Sequence, residues 1–210
     1  MKQKLQDMTE NQKLAQIILT SKELFWKYGI KRVTIEEICR EAGVSKMTFY
    51  KHFRNKIEIV KVIIEKITSE ATEKYKAIMA LDIPFNEKIS RSIKLKMEQT
   101  SEMSHEFFDD YYLHAEPELK EFLNEKIQAS LVLIYNDYVE AQQRGDIRED
   151  LKPEFIIYFL NKMMEMVQDE HLESQYPRPQ DLIMEVTNFF FYGIMPRGKG
   201  DFPEAENNNE

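Results

Sequence analysis

The sequence predicts an all-α fold, and three observations favour that class. Among 210 residues there are only six glycines and seven prolines, so residues that interrupt helices are few. Apolar side chains recur at helical spacing, whereas the alternation typical of strands is hard to find. Lys, Glu, Leu, Ile and Met dominate, which is typical of helical proteins. With 42% hydrophobic residues the chain can bury a core, and we expect about nine helices.

The first two helices are predicted from a stop signal and a start signal. Residues 11–28 place apolar side chains on one face, and Gly29 follows them, where a left-handed residue can end a helix. Thr34 stands three residues before Glu37, which is the spacing of a capping box. A second helix is therefore expected to begin directly after Thr34.

Two further helices follow a glycine turn. Gly43 interrupts the second helix, and Ser45 provides the side-chain oxygen that caps a short third helix. Asn55 caps a fourth helix, which we expect over residues 56–79. At about 1.5 Å per residue, this helix is long enough to connect two domains.

Proline introduces most of the later helices. The N–H groups of the first turn have no partner within the helix, so a proline there removes no hydrogen bond. An acidic residue, which suits a helix N-terminus, follows each of these prolines. The later helices are expected over residues 85–103, 105–113, 118–144, 154–173 and 180–194.

We expect a disordered tail over residues 196–210, because this segment is polar and ends in EAENNNE.

The charge of the chain is unevenly distributed. Residues 1–56 contain 12 Lys or Arg and 6 Asp or Glu, whereas the whole chain has a net charge of −8. A basic N-terminal quarter on an acidic body indicates that this end meets a polyanion. A chance fluctuation of solvated surface charge is the alternative interpretation.

Several classes of protein are disfavoured by what the sequence lacks. One cysteine excludes an intrachain disulfide, and the absence of a membrane-length apolar run or a signal-peptide core predicts a cytoplasmic protein. No Ser/His/Asp signature or phosphate-cradling glycine loop is present, so we do not expect an enzyme.

His105, Asp109, Asp110 and His114 form two i,i+4 pairs about 100° apart around a helix. Because these pairs do not converge, we expect neither a metal nor a cofactor.

The second and third helices, joined by a glycine turn, form the helix-turn-helix arrangement. In such modules the second helix of the pair enters the major groove of DNA. Its outward side chains are donors of the kind that reach phosphates and base edges. They are Ser45, Lys46, Thr48, Tyr50, Lys51 and His52. The side chains expected to pack against the first helix are Ile38, Ala42, Val44, Phe49 and Phe53.

The segment VTIEEICREAGVSKMTFYKHFRNKIEIV, residues 33–60, resembles the DNA-binding signature of the TetR family of transcriptional regulators. The similarity begins near residue 15. It implies an all-helical homodimer whose C-terminal domain binds a small molecule, which in most members releases DNA. It divides the chain into a helix-turn-helix domain of residues 1–56 and a helical ligand-binding and dimerisation domain of residues 57–195, joined by the long helix.

Nine residues are candidate DNA contacts. Thr34 and Lys56 stand at helix N-termini, where the helix dipole and unpaired N–H groups favour a phosphate. Tyr50 resembles the phosphate-clasping tyrosine of the family. Met47 stands where the family commonly has a glycine, and it can touch a thymine methyl. The complete set is Thr34, Ser45, Lys46, Met47, Thr48, Tyr50, Lys51, His52 and Lys56.

Aromatic and methionine side chains in the C-terminal part can line an adaptable apolar pocket, or they can fill an ordinary core. The pocket candidates are Phe107, Phe108, Tyr111, Tyr112, Tyr135, Tyr138, Phe159 and Met163.

Broad apolar faces on the last two helices predict a four-helix dimer interface, unless they pack only within one chain. The interface candidates are Phe155, Met166, Leu182, Val186, Phe189 and Phe190.

These patterns and the resemblance together predict a dimeric, ligand-responsive DNA-binding transcriptional regulator. We expect a repressor that a small apolar or amphipathic effector releases from a roughly palindromic double-stranded operator. The alternative is a constitutive DNA-binding dimer without an effector. The absence of a connected cavity in the C-terminal domain would favour that alternative.

Overall fold

The computed structural model of the protein describes residues 2–194, with side chains from residue 10 onward. This part of the chain contains ten α-helices, one π-helical turn and no strand, so the all-α prediction is confirmed. The elements are α1 (Lys2–Tyr28), α2 (Ile35–Glu41), α3 (Lys46–His52), α4 (Lys56–Met79), α5 (Phe85–Thr100), α6 (His105–Phe108), the π-helical turn (Asp109–Leu113), α7 (Pro117–Gln143), α8 (Pro153–Val167), α9 (Glu170–Glu173) and α10 (Pro179–Ile194).

The predicted helix over residues 105–113 changes its winding halfway. It begins as α6 and continues as the π-helical turn, whose end is marked by a hydrogen bond from His114 N–H to the Asp109 carbonyl at 2.7 Å. This bond spans five residues instead of four, which widens the helix locally. Successive side chains in the turn therefore point in directions that an ordinary helix would not give them.

Other helix bounds also differ from the predicted ones. α1 begins at Lys2, nine residues before the predicted start. The helix predicted over residues 154–173 ends at Val167, because the carboxylate of Asp169 accepts a hydrogen bond from Leu172 N–H at 2.8 Å and starts α9. The predicted disordered tail, residues 196–210, lies outside the described residues.

The first four helices share one buried cluster. Ile17 and Phe25 of α1 meet Ile38 of α2, Phe49 of α3 and Ile59 of α4, all with almost no exposed surface. Side chains from later in the chain complete the cluster, namely Phe107, Leu119 and Leu123. Packing is therefore continuous across residue 56, and the domain boundary placed there stays a prediction.

A second buried cluster lies among α5, α7, α8 and α10. Tyr138 of α7 stacks on Phe190 of α10 with ring centroids 5.9 Å apart, and Phe85 meets the Tyr138 ring edge-on at 6.2 Å. These helices do not fill all the space between them, and an internal cavity remains. Within residues 2–194 no helix has the length and apolar character needed to cross a membrane.

Candidate functional site: a nucleic-acid interface and an internal cavity

Local hydrogen bonds define the helix-turn-helix. Thr34 N–H donates to Glu37 Oε2 at 2.9 Å, and Glu37 N–H donates to Thr34 Oγ1 at 3.2 Å, so the predicted capping box is confirmed. At the start of α3, Thr48 N–H donates to Ser45 Oγ at 3.1 Å. Gly43 between the helices has φ of 66°, a conformation that glycine adopts without strain. These bonds orient α3 relative to α2.

One side of α3 is presented to solvent. Phe49 is fully buried on the opposite side and anchors the helix to the core. Met47 is 85% exposed and Tyr50 is 54% exposed, and both lysines of α3 are exposed as well. We call Lys46, Met47, Tyr50 and Lys51 the α3 surface. These four side chains fall within an arc of about 140° around the helix, so they form one contiguous face.

Both lysines of the α3 surface are paired with acidic side chains in the protein. Lys46 Nζ donates to Glu36 Oε1, and Lys51 Nζ pairs with Glu10 Oε1. Hydrogen bonding to these lysines is the main cause that lowers the pKa of Glu36 and of Glu10. Exposed ion pairs of this kind add little to stability, so a DNA phosphate can replace either carboxylate at small cost.

His52 and Lys56 are less accessible than the α3 surface. The His52 side chain is largely buried, and its Nε2 lies 3.7 Å from Glu10 Oε1. Lys56 Nζ donates to the carbonyls of Lys31 and Val33, both at 2.9 Å. Burial is the main cause that lowers the pKa of Lys56. Because an ammonium has three donors, a phosphate contact would be the third bond of Lys56.

The C-terminal part contains a cavity of about 330 Å³ that is partly open to solvent and is bounded by α4, α5, the π-helical turn, α7, α8 and α10. This volume is within the range of small-molecule sites. Four of the eight predicted pocket residues line it: Tyr111, Tyr112, Tyr138 and Met163. Burial raises the pKa of Tyr112 to about 12, and it also raises the pKa of Tyr111 and Tyr138, so all three phenols are neutral at physiological pH.

The other four pocket candidates do not line the cavity. Phe107 belongs to the N-terminal cluster, and Phe108 is fully buried in a small cluster with Val167 and Ile183. Phe159 stacks on Phe190 at 5.9 Å within the second cluster, and Tyr135 is absent from the lining. Neighbouring residues on a helix face different sides, so only four of the eight candidates reach the cavity.

Sequence reasoning missed the polar part of the lining. Thr68, Ser92, Lys96, Ser130 and Thr187 reach the cavity among apolar neighbours. Four of these residues are hydroxyls that donate to the carbonyl four residues earlier in their own helix. Helical spacing could have identified two of these residues. Ser92 and Lys96 fall on the same side of α5 as its buried residues, which recur every three or four positions.

The residues with metal-compatible spacing have other partners. His105 Nδ1 lies 3.1 Å from Glu173 Oε1, and His114 Nε2 lies 3.5 Å from Glu170 Oε1. Asp110 faces the turn after α1. In the part of the chain that the structure describes, no three His, Cys, Asp or Glu side chains form a group that could hold a metal ion.

The predicted dimer faces divide into exposed and buried side chains. Phe155 and Met166 of α8 and Phe189 of α10 are exposed, and Tyr158 and Tyr192 are exposed beside them in sequence. The other three candidates, Leu182, Val186 and Phe190, are buried in their own chain. They face inward because α10 packs against α5 and α8, so that one side of α10 fills the core and the other stays exposed.

A short segment connects the cavity to α1 and the turn that follows it. Ser104 N–H donates to the carbonyl of Trp26 at 3.3 Å, and the Phe107 ring stacks on the Trp26 ring at 4.1 Å. Asp110, which is buried, accepts a hydrogen bond from Lys31 N–H through Oδ2 at 2.7 Å. The next two residues of the π-helical turn are the tyrosines that line the cavity. One segment thus contacts both sites.

This contact requires a close backbone approach at Gly29. Gly29 has φ of 83°, and a Cβ there would lie 2.8 Å from Asp110 Oδ2 and 3.0 Å from the Glu106 carbonyl oxygen. Both distances are too short for a carbon atom. The glycine that ends α1 therefore also makes room for α6 and the π-helical turn.

Comparison with known proteins agrees with this arrangement. Residues 17–63 match the family described as bacterial regulatory proteins, tetR family. The chain is 25% identical over 175 residues to YdgC, an uncharacterized HTH-type transcriptional regulator of Bacillus subtilis (strain 168), and the match covers 81% of this chain and 86% of that protein.

Two solved structures have a similar fold. The transcriptional regulator FadR from Bacillus subtilis, in complex with stearoyl-CoA, has a TM-score of 0.66 and 20% identity, covering 86% of this chain and 99% of that chain. A regulator from Saccharomonospora viridis, in complex with choline, has a TM-score of 0.66 and 17% identity, covering 87% of this chain and 97% of that chain. At these identities the likeness concerns the fold alone.

Fold and site together define a helix-turn-helix transcription regulator, with α3 as the helix that the turn presents. The residues that match the family profile extend from the second half of α1 through α2 and α3 to the first third of α4. Residues 17–63 match the TetR-family model, and the resemblance seen in residues 33–60 is confirmed. The relatives act as regulators, which is a non-enzymatic role.

Proposed function

We propose that the protein is a homodimeric repressor that binds a roughly palindromic DNA operator and leaves it when a small molecule enters the cavity. The observation that carries this proposal is the position of the segment from Ser104 to Leu113, which contacts both the cavity and the turn after α1. A ligand that fits one position of this segment better than another would shift the DNA-binding helices.

The DNA-binding half of the proposal is supported by the α3 surface. It combines two lysines, a tyrosine and a methionine on one exposed face, next to a basic N-terminal quarter. Phosphates would replace Glu36 and Glu10 as partners of Lys46 and Lys51. Thr34 and Ser45, at the N-termini of α2 and α3, are proposed to face phosphates there. Thr48, His52 and Lys56 stay proposed contacts of the same surface.

The cavity supports ligand response over constitutive DNA binding. A volume of about 330 Å³ is more than packing defects leave in an ordinary core, and it lies between six elements of the C-terminal part. FadR and the Saccharomonospora viridis regulator, which share the fold, were solved with stearoyl-CoA and choline respectively. Binding of a small-molecule effector by this chain would agree with both of these structures.

The homodimer is supported by the exposed aromatic side chains of α8 and α10. Phe155, Tyr158, Phe189 and Tyr192 leave large apolar surfaces in solvent, which a second copy would cover. In this proposal residues 1–56 form the DNA-binding domain and residues 57–195 form the ligand-binding and dimerisation domain. The first half of α4 belongs to both, because it packs in the N-terminal cluster.

Tyr50→Ala tests the DNA-binding half. The affinity for duplex is expected to fall by about tenfold for every sequence, because a phosphate contact is lost and no base contact is changed. Fluorescence anisotropy with an operator selected from a random pool, measured over a series of salt concentrations, gives the affinity and its salt dependence.

Lys74→Ala is the control for this experiment, since Lys74 is exposed on α4 and lies outside the proposed surface. It should bind as the wild type does. Unchanged affinity of Tyr50→Ala, or wild-type binding that does not respond to salt, would show that α3 is not the DNA-reading helix.

A further inference from the structure

Lys96, a cation that lines the cavity, has no partner among the residues that the structure describes. Lys96 lies on α5 between the buried residues Ser92 and Thr100, and its side chain lines the cavity. Among the described residues neither a carboxylate nor a hydrogen-bond acceptor meets its ammonium group. Burial lowers the pKa of Lys96, and no neighbouring charge offsets this effect. Lys96 is partly buried and its ammonium faces the space of the cavity, where a lysine without a partner is unusual, because desolvated ammonium groups are normally paired.

Other lysines nearby do have partners. Lys126, which also lines the cavity, pairs with Glu65 of α4 and lies 5.3 Å from the centre of the Phe122 ring. Lys88, near the start of α5, donates to the carbonyl of Met79 at 2.8 Å. The packing of this region therefore provides partners for Lys126 and Lys88, whereas it provides none for Lys96 among the described residues.

The rest of the lining indicates the chemistry of the missing partner. Two lysines and no Asp or Glu occur among the described residues that line the cavity, although the chain as a whole has a net charge of −8. The hydroxyls of Tyr111 and Tyr112 have no hydrogen-bond partner among the described residues, and they are donors at neutral pH. Leucine, isoleucine, valine, methionine and phenylalanine side chains form most of the remaining wall.

We propose that the cavity binds an amphiphile with an anionic head group, such as a carboxylate, whose charge pairs with Lys96 and whose apolar body lies against α7, α8 and α10. This inference rests on the proposed ligand site and specifies the class of molecule that occupies it. A neutral ligand would leave the ammonium unpaired, and a cationic ligand would add a like charge beside it. An anion satisfies the ammonium and both tyrosine donors.

A series of amphiphiles with one tail and three head groups tests the proposal on the purified full-length protein. Decanoate, decanol and decyltrimethylammonium are compared below their micelle concentrations by isothermal titration calorimetry, and the comparison is repeated with octyl and dodecyl tails. The carboxylate is expected to bind at least about tenfold more tightly than the alcohol, and the quaternary amine should bind most weakly.

Lys96→Met identifies the residue responsible for this preference. The variant keeps the length of the side chain and removes the charge, so the carboxylate should lose its advantage of about tenfold while the affinity for the alcohol stays within about twofold. Its thermal midpoint should equal or exceed that of the wild type, because an unpaired buried charge is removed. Lys94→Met is the matched control, since Lys94 is exposed on the same helix.

Each outcome decides the inference. Equal binding of the three head groups by the wild type, absence of binding by all of them, or an undiminished carboxylate preference in Lys96→Met would overturn it. Operator release is measured in parallel with a pool of other small molecules. If a neutral or cationic compound releases the operator, the proposed function stands and the anionic class of ligand is rejected. If the carboxylate binds tightly but operator binding is unaltered, only ligand-controlled release is rejected.

Discussion

Gly29 shows how a single residue can serve two purposes. Its φ of 83° ends α1, and its missing side chain admits Asp110 and the Glu106 carbonyl to the backbone. The first purpose is readable from the sequence, because a glycine after an apolar periodic segment is a common helix stop. The second depends on a segment about 80 residues further along the chain.

Gly29→Ala is expected to destabilise the protein more than Gly43→Ala. Both positions have positive φ, so each alanine costs about 1 kcal/mol in backbone strain. A methyl group at position 43 meets no atom within 4 Å, whereas at position 29 it would lie 2.8 Å from Asp110 Oδ2. We expect at least about 1 kcal/mol of additional loss at position 29, measured as the free energy of unfolding in urea. Equal losses in the two variants would argue against a tight junction in solution.

The π-helical turn is the element that contacts both the cavity and the turn after α1. Its widened winding directs Asp110 toward Lys31 while Tyr111 and Tyr112 line the cavity. In an ordinary helix these three consecutive side chains would be spaced at about 100°. Turns of this kind occur frequently at functional sites. A shift of the two tyrosines on ligand binding would therefore move the acceptor that holds the turn after α1.

Asp110→Asn tests this junction. The amide can still accept the hydrogen bond from Lys31 N–H, but it lacks the charge that also attracts Lys31 Nζ at 3.5 Å from Oδ1. The free energy of unfolding is expected to fall by about 1–2 kcal/mol. The fluorescence of the single tryptophan, Trp26, should change as well, because its ring stacks on α6.

The neighbouring substitution Asp109→Asn provides the comparison for Asp110→Asn. Asp109 is exposed in the same turn, so its replacement should change stability by less than about 0.5 kcal/mol and leave the tryptophan spectrum unaltered. If the two variants behave alike, the charge of Asp110 does not stabilise the contact between the two sites.

At the scale of the whole molecule, the pairing of two chains would determine the distance between two α3 surfaces. A helix-turn-helix dimer reads two half-sites about 34 Å apart or a little more, which is one turn of DNA. The exposed aromatic residues belong to α8 and α10, which contribute no side chain to the cluster that holds α3, so a dimer formed there is expected to leave both α3 surfaces accessible. Any ligand-induced change in either chain would then alter their separation.

Phe189→Arg should convert the dimer to a monomer. Phe189 is 72% exposed, so the charge disturbs an interface between copies without disturbing the fold of one copy. Light scattering after gel filtration should report half the mass, and affinity for a palindromic operator should fall by about 100-fold or more because the two half-sites are no longer bound together.

Val132→Arg serves as the reference for Phe189→Arg. Val132 is a similarly exposed apolar residue on α7, outside the proposed interface. This variant should remain dimeric and bind the operator normally. A dimer that survives Phe189→Arg but not Val132→Arg would place the interface on α7 instead.

The sequence by itself determined the helical class, the bounds of α2, α3 and α4, and the caps at Thr34, Ser45 and Asn55. These features depend on hydrogen bonds between residues three or four apart and on a 3.6-residue period, so the residues that decide them are neighbours in the chain. The family resemblance followed from the same segment.

Only the tertiary structure decided which side of each later helix meets which neighbour. Phe189 is exposed and Phe190 is buried, and Tyr111 lines the cavity whereas Phe107 packs beneath α1. Lys96, which reads as a solvated charge in the sequence, lies at the cavity. The physical reason is that six elements distant in the chain enclose this space together, and a rotation of any one of them by a single residue would change which side chains reach it.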